Sequence, residues 1–229
     1  SKMKMLMAVV VLAFWLSGLA PTIVHAQIDP ETKDTKPEQR LITICGNTKL
    51  NVHQWPLLGK PTAKYVFAEM YDYTCPHCRS LHNSMDATFK KYGDDVAIIA
   101  LPVPLNASCN KQVGSTEPQH RDACELARLA IAVWMVKPEK FVEYHNWLFK
   151  ETRTVSDARQ HAIKLVTEKK LDEELTKKTP DEYLSKHVKL YEIAGGGSIP
   201  KCLFPGVTLT GDVGFDKLIR TIEQQLGTR

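Results

Sequence analysis

No second closely spaced Cys/His pair accompanies the Cys75-Pro76-His77-Cys78 tetrad, so a zinc ribbon or knuckle would be missing half of its ligands. Arg79 rather than histidine follows the second cysteine, which excludes c-type haem attachment. There is no basic stripe with interleaved aromatics: 30 Lys and Arg stand against 26 Asp and Glu, scattered along the chain, so a nucleic-acid partner has no electrostatic footprint. The glycine run at 195–197 has no Lys-Ser/Thr after it and no strand pattern before it, and it reads as a connector rather than a phosphate loop. Long apolar runs are also missing. Met5 to Ala20 would span only ~24 Å as a helix, short of a ~30 Å hydrocarbon core.

That run instead has the form of a targeting segment. Lys2 and Lys4 precede it, Pro21 breaks it, and Val24-His25-Ala26 supplies small or aliphatic residues around a cleavage position. Residues 1–26 are therefore expected to be a signal peptide cleaved after Ala26, with an uncleaved membrane anchor as the alternative. Its removal leaves 28 basic against 26 acidic residues, close to neutrality. Residues 27–40, QIDPETKDTKPEQR, contain too little apolar surface to offset their ordering entropy and read as a flexible leader. The remaining 41–229 is long enough for one domain with a sizeable core.

The chain is organised around Tyr65 to Met85. Val66, Phe67, Met70, Tyr71 and Tyr73 form a run too apolar to be solvated on either face, as expected of a central strand in a covered sheet. Pro76 suits the first position of a helix, Leu81, Met85, Phe89 and Tyr92 recur at helical spacing, and Gly93 is a stop signal. Cys75 is thereby placed at a helix N-terminus, where free N–H groups and the helix dipole favour a thiolate, and Cys78 lies one turn behind it, placed to resolve a mixed disulfide. A redox dithiol is the reading; a merely structural disulfide and a metal module using Cys75 and Cys78 are its rivals.

Strand, CPHC, helix, and a later Ile199-Pro200 pair opening another strand together resemble the thioredoxin superfamily, and the CPHC tetrad is similar to DsbA-type disulfide oxidoreductases. The likeness begins near Lys49. It implies an α/β thioredoxin fold with an inserted helical subdomain, here at about 118–194, and an enzyme that needs no cofactor because its own dithiol carries two electrons. It further implies that Pro200 is a cis-proline facing the dithiol, with the backbone of Ile199 pairing with an extended substrate chain. Glu69, six residues before Cys75, stands where such proteins often keep a buried acid and is the candidate acceptor of the Cys78 proton; Asp72 is the runner-up, and an edge-facing glutamate the bland alternative. Pro76, His77 and the helix terminus would stabilise the Cys75 thiolate.

Around this centre, Leu41 to Ile44 and Thr48 to Val52 read as short strands packing the edge of the sheet, Pro56 to Pro61 as a loop, and Val96 to Val103 as a buried strand. Residues 118–194 read as four helices: one through Cys124 to Val136, one after Pro138, one capped by Ser156, and one opened by the capping box Thr179-Pro180-Asp181-Glu182. Lys201 to Phe204 and Val207 to Thr210 form an antiparallel pair, and Phe215, Leu218, Ile219, Ile222 and Leu226 give a closing helix one apolar face. Cys109 and Cys124 flank a polar segment suited to a disulfide-closed loop. Cys45 and Cys202 remain, and whether they pair with each other is open, the alternative being Cys202 as a third thiol close to the reaction. The expected activity is thiol–disulfide exchange with exported proteins, as an oxidant, with reductase or isomerase as alternatives and a membrane redox protein resetting the dithiol.

Overall fold

The apolar run that leads into the tetrad is the middle strand of the sheet. The computed structural model describes residues 39–227; the expected signal peptide and all but the end of the leader lie outside the described residues. The strands are β1 (Leu41–Ile44), β2 (Thr48–Asn51), β3 (Leu57–Leu58), β4 (Tyr65–Tyr71), β5 (Val96–Pro102), β6 (Lys201–Leu203) and β7 (Thr208–Thr210). Five of them form one mixed sheet in the order β3-β5-β4-β6-β7. β4 pairs in parallel with β5 from Tyr65↔Val96 to Tyr71↔Pro102 and antiparallel with β6, where Glu69 faces Cys202. Its continuous apolar character follows from this position, since both of its faces are covered and every residue from Val66 to Tyr71 is buried.

Two expectations about the edges are corrected. The β1–β2 hairpin forms a separate two-stranded sheet rather than an edge of the main one. Its side chains do the packing, with Ile42, Ile44 and Leu50 buried, while Cys45 N–H donates to the Phe204 carbonyl at 3.1 Å and Gly46 N–H to the Pro205 carbonyl at 2.8 Å. The segment between Pro56 and Pro61 is not all loop, because Leu57 and Leu58 pair with Ile99 and Ile98 as β3. Two residues are too few to show a period. Gly59, which ends β3, has φ +95°, and a Cβ there would come within 2.6 Å of the Val96 carbonyl oxygen, so only glycine fits.

Helices α1 (Pro76–Tyr92) and α7 (Phe215–Leu226) pack together, and α7 also packs on β4. The inserted block contains α2 (Ala123–Val136), α3 (Phe141–Lys150), α4 (Val155–Val166), α5 (Glu168–Leu175) and α6 (Thr179–Ile193), five helices where the sequence pattern suggests four. α5 escapes notice because Glu168 to Leu175 is largely charged and buries only Leu171 and Glu174. Caps also differ: Thr154, not Ser156, opens α4, its Oγ1 accepting from Asp157 N–H at 3.1 Å. At α6 the cap position is Lys178, and the Thr179 box makes no capping bond. α2 is the block's centre, buried on most of its surface and packed against all four of its neighbours. α3 leans on α1 and β3, and α6 on β5, so the block covers part of the sheet.

Cys109 and Cys124 are joined in a disulfide, with Cα atoms 6.1 Å apart, closing the loop that leads into α2. Replacing both by alanine should lower unfolding stability by about 3 kcal/mol, the chain-entropy value for a ring of this size. Urea denaturation of the variant against the parent checks it, and an unchanged midpoint would show that the loop is held by its hydrogen bonds instead.

Candidate active site

Strand β4 ends at Tyr71, and four residues carry the chain from the sheet to α1. Asp72 makes that turn rigid: Cys75 N–H donates to its carbonyl at 3.0 Å, Thr74 N–H and Thr74 Oγ1 donate to Oδ1 at 2.7 and 2.6 Å, and Leu105 N–H donates to Oδ2 at 2.7 Å. Cys75 is thus the N-cap of α1 with extended dihedrals, and Pro76 occupies the first turn, where no N–H is needed. Cys75 is 4 % exposed and Cys78 not at all. Asp72 N–H donates to Cys78 Sγ at 3.5 Å.

The two thiols have opposite electrostatics. Cys75 is lowered to about 6, chiefly because the Cys78 thiol donates to it, with help from the backbone N–H groups of Cys78 and His77 and against burial and the charge of Asp72. Burial pushes the Cys78 thiol well above its ordinary value, reinforced by Cys75. One sulfur is a nucleophile at neutral pH and the other is a protonated donor beside it. His77 acts on Cys75 through its backbone N–H, while its side chain is exposed.

Glu69 is 1 % exposed on the central strand, which rules out an edge-facing glutamate. Burial raises it to about 8, and its Oε2 has no hydrogen-bond partner among the described residues. Its charge bears on both Cys78 and Cys202. Cys202 is a buried free thiol whose side chain shares the Glu69 face, since cross-strand partners point the same way. Cys45 is also free, beside Lys201 and Thr208. Lys201 alternates with Cys202 along β6, so Cys45 and Cys202 lie toward opposite faces.

The Ile199-Pro200 peptide is cis and immediately precedes β6; both residues are buried, and the Pro200 carbonyl accepts from Gly211 N–H at 2.8 Å. Sequence reasoning did not single out His120, His82 or His145. His120, inside the disulfide ring, places Nδ1 2.7 Å from Thr74 Oγ1 and 3.8 Å from Asp72 Oδ2. His82 lies one turn beyond Cys78 on α1, a spacing that could have flagged it. Among the described residues, no group of three or more His, Cys, Asp or Glu is arranged to hold a metal ion, and no helix is long and apolar enough to cross a membrane.

A thioredoxin family profile matches residues 52–224. Among solved structures, a periplasmic thioredoxin-like protein from Salmonella enterica serovar Typhimurium superposes with a TM-score of 0.59 at 21 % identity, covering 75 % of this chain and 90 % of its own. Proteus mirabilis ScsC in a compact conformation gives 0.60 at 22 % identity, covering 76 % and 73 %. Oxidised BdbD from Bacillus subtilis gives 0.61 at 20 % identity, covering 83 % and 99 %. Likeness at these identities shows the fold. No curated protein matches the sequence.

Proposed function

The chain belongs to the thioredoxin family, and on that premise we propose that it is a thiol–disulfide oxidoreductase that passes its Cys75–Cys78 disulfide to cysteines of exported proteins. The observation that carries this reading is the pairing of a Cys75 thiol lowered to about 6 with a buried, protonated Cys78 directly behind it. A substrate thiolate attacks Cys75 Sγ, the Cys75–Cys78 bond breaks, and Cys78 leaves as a thiolate that must take up a proton. A second substrate thiolate then attacks the substrate sulfur of the mixed disulfide and releases Cys75 as the thiolate. Atoms and electrons balance: the substrate loses two electrons and the enzyme dithiol holds them.

Glu69 takes a role in this direction that differs from the one its position first suggests. With a carboxyl at about 8 it is protonated at neutral pH, so it serves as proton donor to the leaving Cys78 rather than as base. Ile199 and Pro200 form the groove edge on which an extended substrate lies. Residues 1–26 act as the export signal, which places the enzyme in the periplasm or an equivalent exported compartment, held at the membrane if the segment is retained. A membrane redox protein reoxidises the dithiol.

Cys75 at about 6 also supports a second reading, isomerase or reductase, because the stabilisation of its thiolate is modest. At pH 7 only the lowering below ambient pH counts, on the order of 1 kcal/mol after solvent screening, or ~20 mV. Added to thioredoxin's roughly −270 mV, this gives about −250 mV. Structural disulfides of secreted proteins lie below about −300 mV, so donation to them is still downhill. Equilibration with glutathione at pH 7 tests the direction, with about −250 mV expected. A potential at or below thioredoxin's, together with a Cys75 titrating above ~7, would leave the reductase.

A further inference from the structure

Residues 103–122, which lead from β5 to α2 and into the Cys109–Cys124 ring, reach the active-site turn at Asp72. Leu105 N–H donates to Asp72 Oδ2 at 2.7 Å, and His120 Nδ1 lies 3.8 Å from the same oxygen. Two buried asparagines set this placement. Asn110 Nδ2 donates to the Pro104 carbonyl at 2.9 Å, and Asn106 Nδ2 donates to the His120 and Arg121 carbonyls at 3.1 and 2.9 Å. Asp72 in turn meets both cysteines through its backbone, accepting from Cys75 N–H and donating to Cys78 Sγ. The exchange step described above gives His120 no part, although it stands two hydrogen bonds from this residue.

The hydrogen-bond pattern assigns the protons. The buried Asp72 carboxylate accepts from Thr74 N–H and Thr74 Oγ1 at Oδ1 and from Leu105 N–H at Oδ2. Backbone N–H groups cannot accept, so these partners suit the ionised, acceptor-only form. The Thr74 hydroxyl has one hydrogen and directs it to Asp72, so toward His120 Nδ1, 2.7 Å away, it can only accept. Nδ1 therefore carries a hydrogen, and the path from His120 through Thr74 to Asp72 is unbroken. Burial pushes the Asp72 carboxyl up, while the Leu105 and Thr74 bonds and the charge of His120 pull it back. Cys75 is governed first by the hydrogen bond from Cys78, but the charge of Asp72 opposes its thiolate. Whatever offsets that charge favours the thiolate.

We propose that His120 is a positioning residue for thiol–disulfide exchange, which from the disulfide-closed loop holds the Asp72 carboxylate through Thr74 and offsets its charge beside the Cys75–Cys78 pair. The inference rests on the thiol–disulfide reading and deepens it. When the second substrate thiolate attacks the mixed disulfide, the electron pair of the breaking bond goes to Cys75 Sγ. Negative charge then gathers at one helix terminus, on Cys75 and on Asp72, and two like charges there disfavour the reduced enzyme. His120 faces Asp72 with an N–H and so lowers that cost. Among the described residues no hydrogen bond joins His120 to either cysteine, and it acts through Thr74 and Asp72 alone.

Alkylation of Cys75 against pH in the reduced protein, read by peptide mass, tests the proposal together with the glutathione equilibrium. His120→Leu should move the alkylation midpoint upward by about one unit, the lower end of the range for a charge partner, and shift the equilibrium at pH 7 about 5-fold toward the oxidised enzyme. Thr74→Val, which removes the bridging hydroxyl, should shift both the same way. Asp72→Asn should move the midpoint downward, and in that background His120→Leu should add nothing. Opposite signs separate charge compensation from loosening of the helix start, because a loosened terminus raises the midpoint in every variant. An unchanged or lowered midpoint in His120→Leu or in Thr74→Val would overturn the proposal even if Asp72→Asn fails to fold. So would a rise of equal size when His120→Leu is made in the Asp72→Asn background. A wild-type protein that exchanges no disulfide would remove the thiol–disulfide reading and this role with it, whereas failed midpoint shifts in an exchanging protein remove the role alone.

Discussion

Cys75→Ser should abolish disulfide exchange, with a loss on the order of 10³-fold or more, whereas Cys78→Ala should still react and then stop at a mixed disulfide. The asymmetry follows from the two thiols' surroundings: Cys75 caps α1 and is lowered to about 6, while Cys78 is fully buried and raised. Cys78→Ala has a second effect that a simple nucleophile and resolver scheme does not contain. The largest contribution to the Cys75 lowering is the hydrogen bond from the Cys78 thiol, so its removal should move the midpoint of Cys75 alkylation upward from about 6 toward the ordinary thiol range. His77→Ala should leave that midpoint in place, because the donor at that position is the backbone N–H. Iodoacetamide rates between pH 4 and 9 check all three variants. A Cys78→Ala protein still titrating near 6 would assign the thiolate to the helix terminus alone, and a large shift in His77→Ala would return the role to the ring.

These residues were legible because their signals are local. Pro76 and Gly93 mark both ends of α1, the two-residue spacing sets Cys78 one turn behind Cys75, and an acid inside an apolar strand stands out without any knowledge of the fold. His145 and His120 carry no such mark, and His82 has only its spacing of one turn beyond Cys78. They acquire meaning only where α1, α3 and the disulfide loop converge on the end of β4, and sequence separations of 72 between Tyr73 and His145 and 46 between Thr74 and His120 hide that convergence. The misread edges have the same origin. β3 exists because two leucines find β5, and the β1–β2 hairpin stands apart because its side chains rather than its ladder meet the core. The choice between Thr154 and Ser156 as a cap was undetermined locally, since either hydroxyl can accept from an N–H two or three residues on. Glu69 lies between the two cases: its burial was an expectation, while its protonation depends on the strands on either side of it.

That protonation leads to the largest stability effect expected of a single substitution. In the unfolded chain Glu69 titrates near 4.3, and in the folded dithiol form burial raises it to about 8. A carboxyl raised in the folded state favours folding fully below its unfolded value, and this advantage is lost as pH rises toward the folded value. Stability should therefore fall between about pH 4.3 and 8 and level off above. Glu69→Gln keeps the shape and the neutral amide but cannot ionise. Relative to the parent it should be nearly neutral at pH 4, more stable by about 3.5 kcal/mol at pH 7, and more stable by close to 5 kcal/mol at pH 9. The Cys75 thiolate contributes the opposite slope, since a lowered thiol adds stability as pH rises through 6. Both proteins share that term, so the difference between them isolates Glu69. Urea unfolding of the two reduced proteins at pH 4, 7 and 9 reads it directly. A pH-independent difference would mean that Glu69 is ionised and solvated in the folded protein, and it would then act as the base for Cys78 rather than as its proton donor. The same variant should slow exchange in the direction that expels Cys78, so a protein gaining stability at pH 9 while losing exchange rate at pH 7 would assign both effects to the one buried proton.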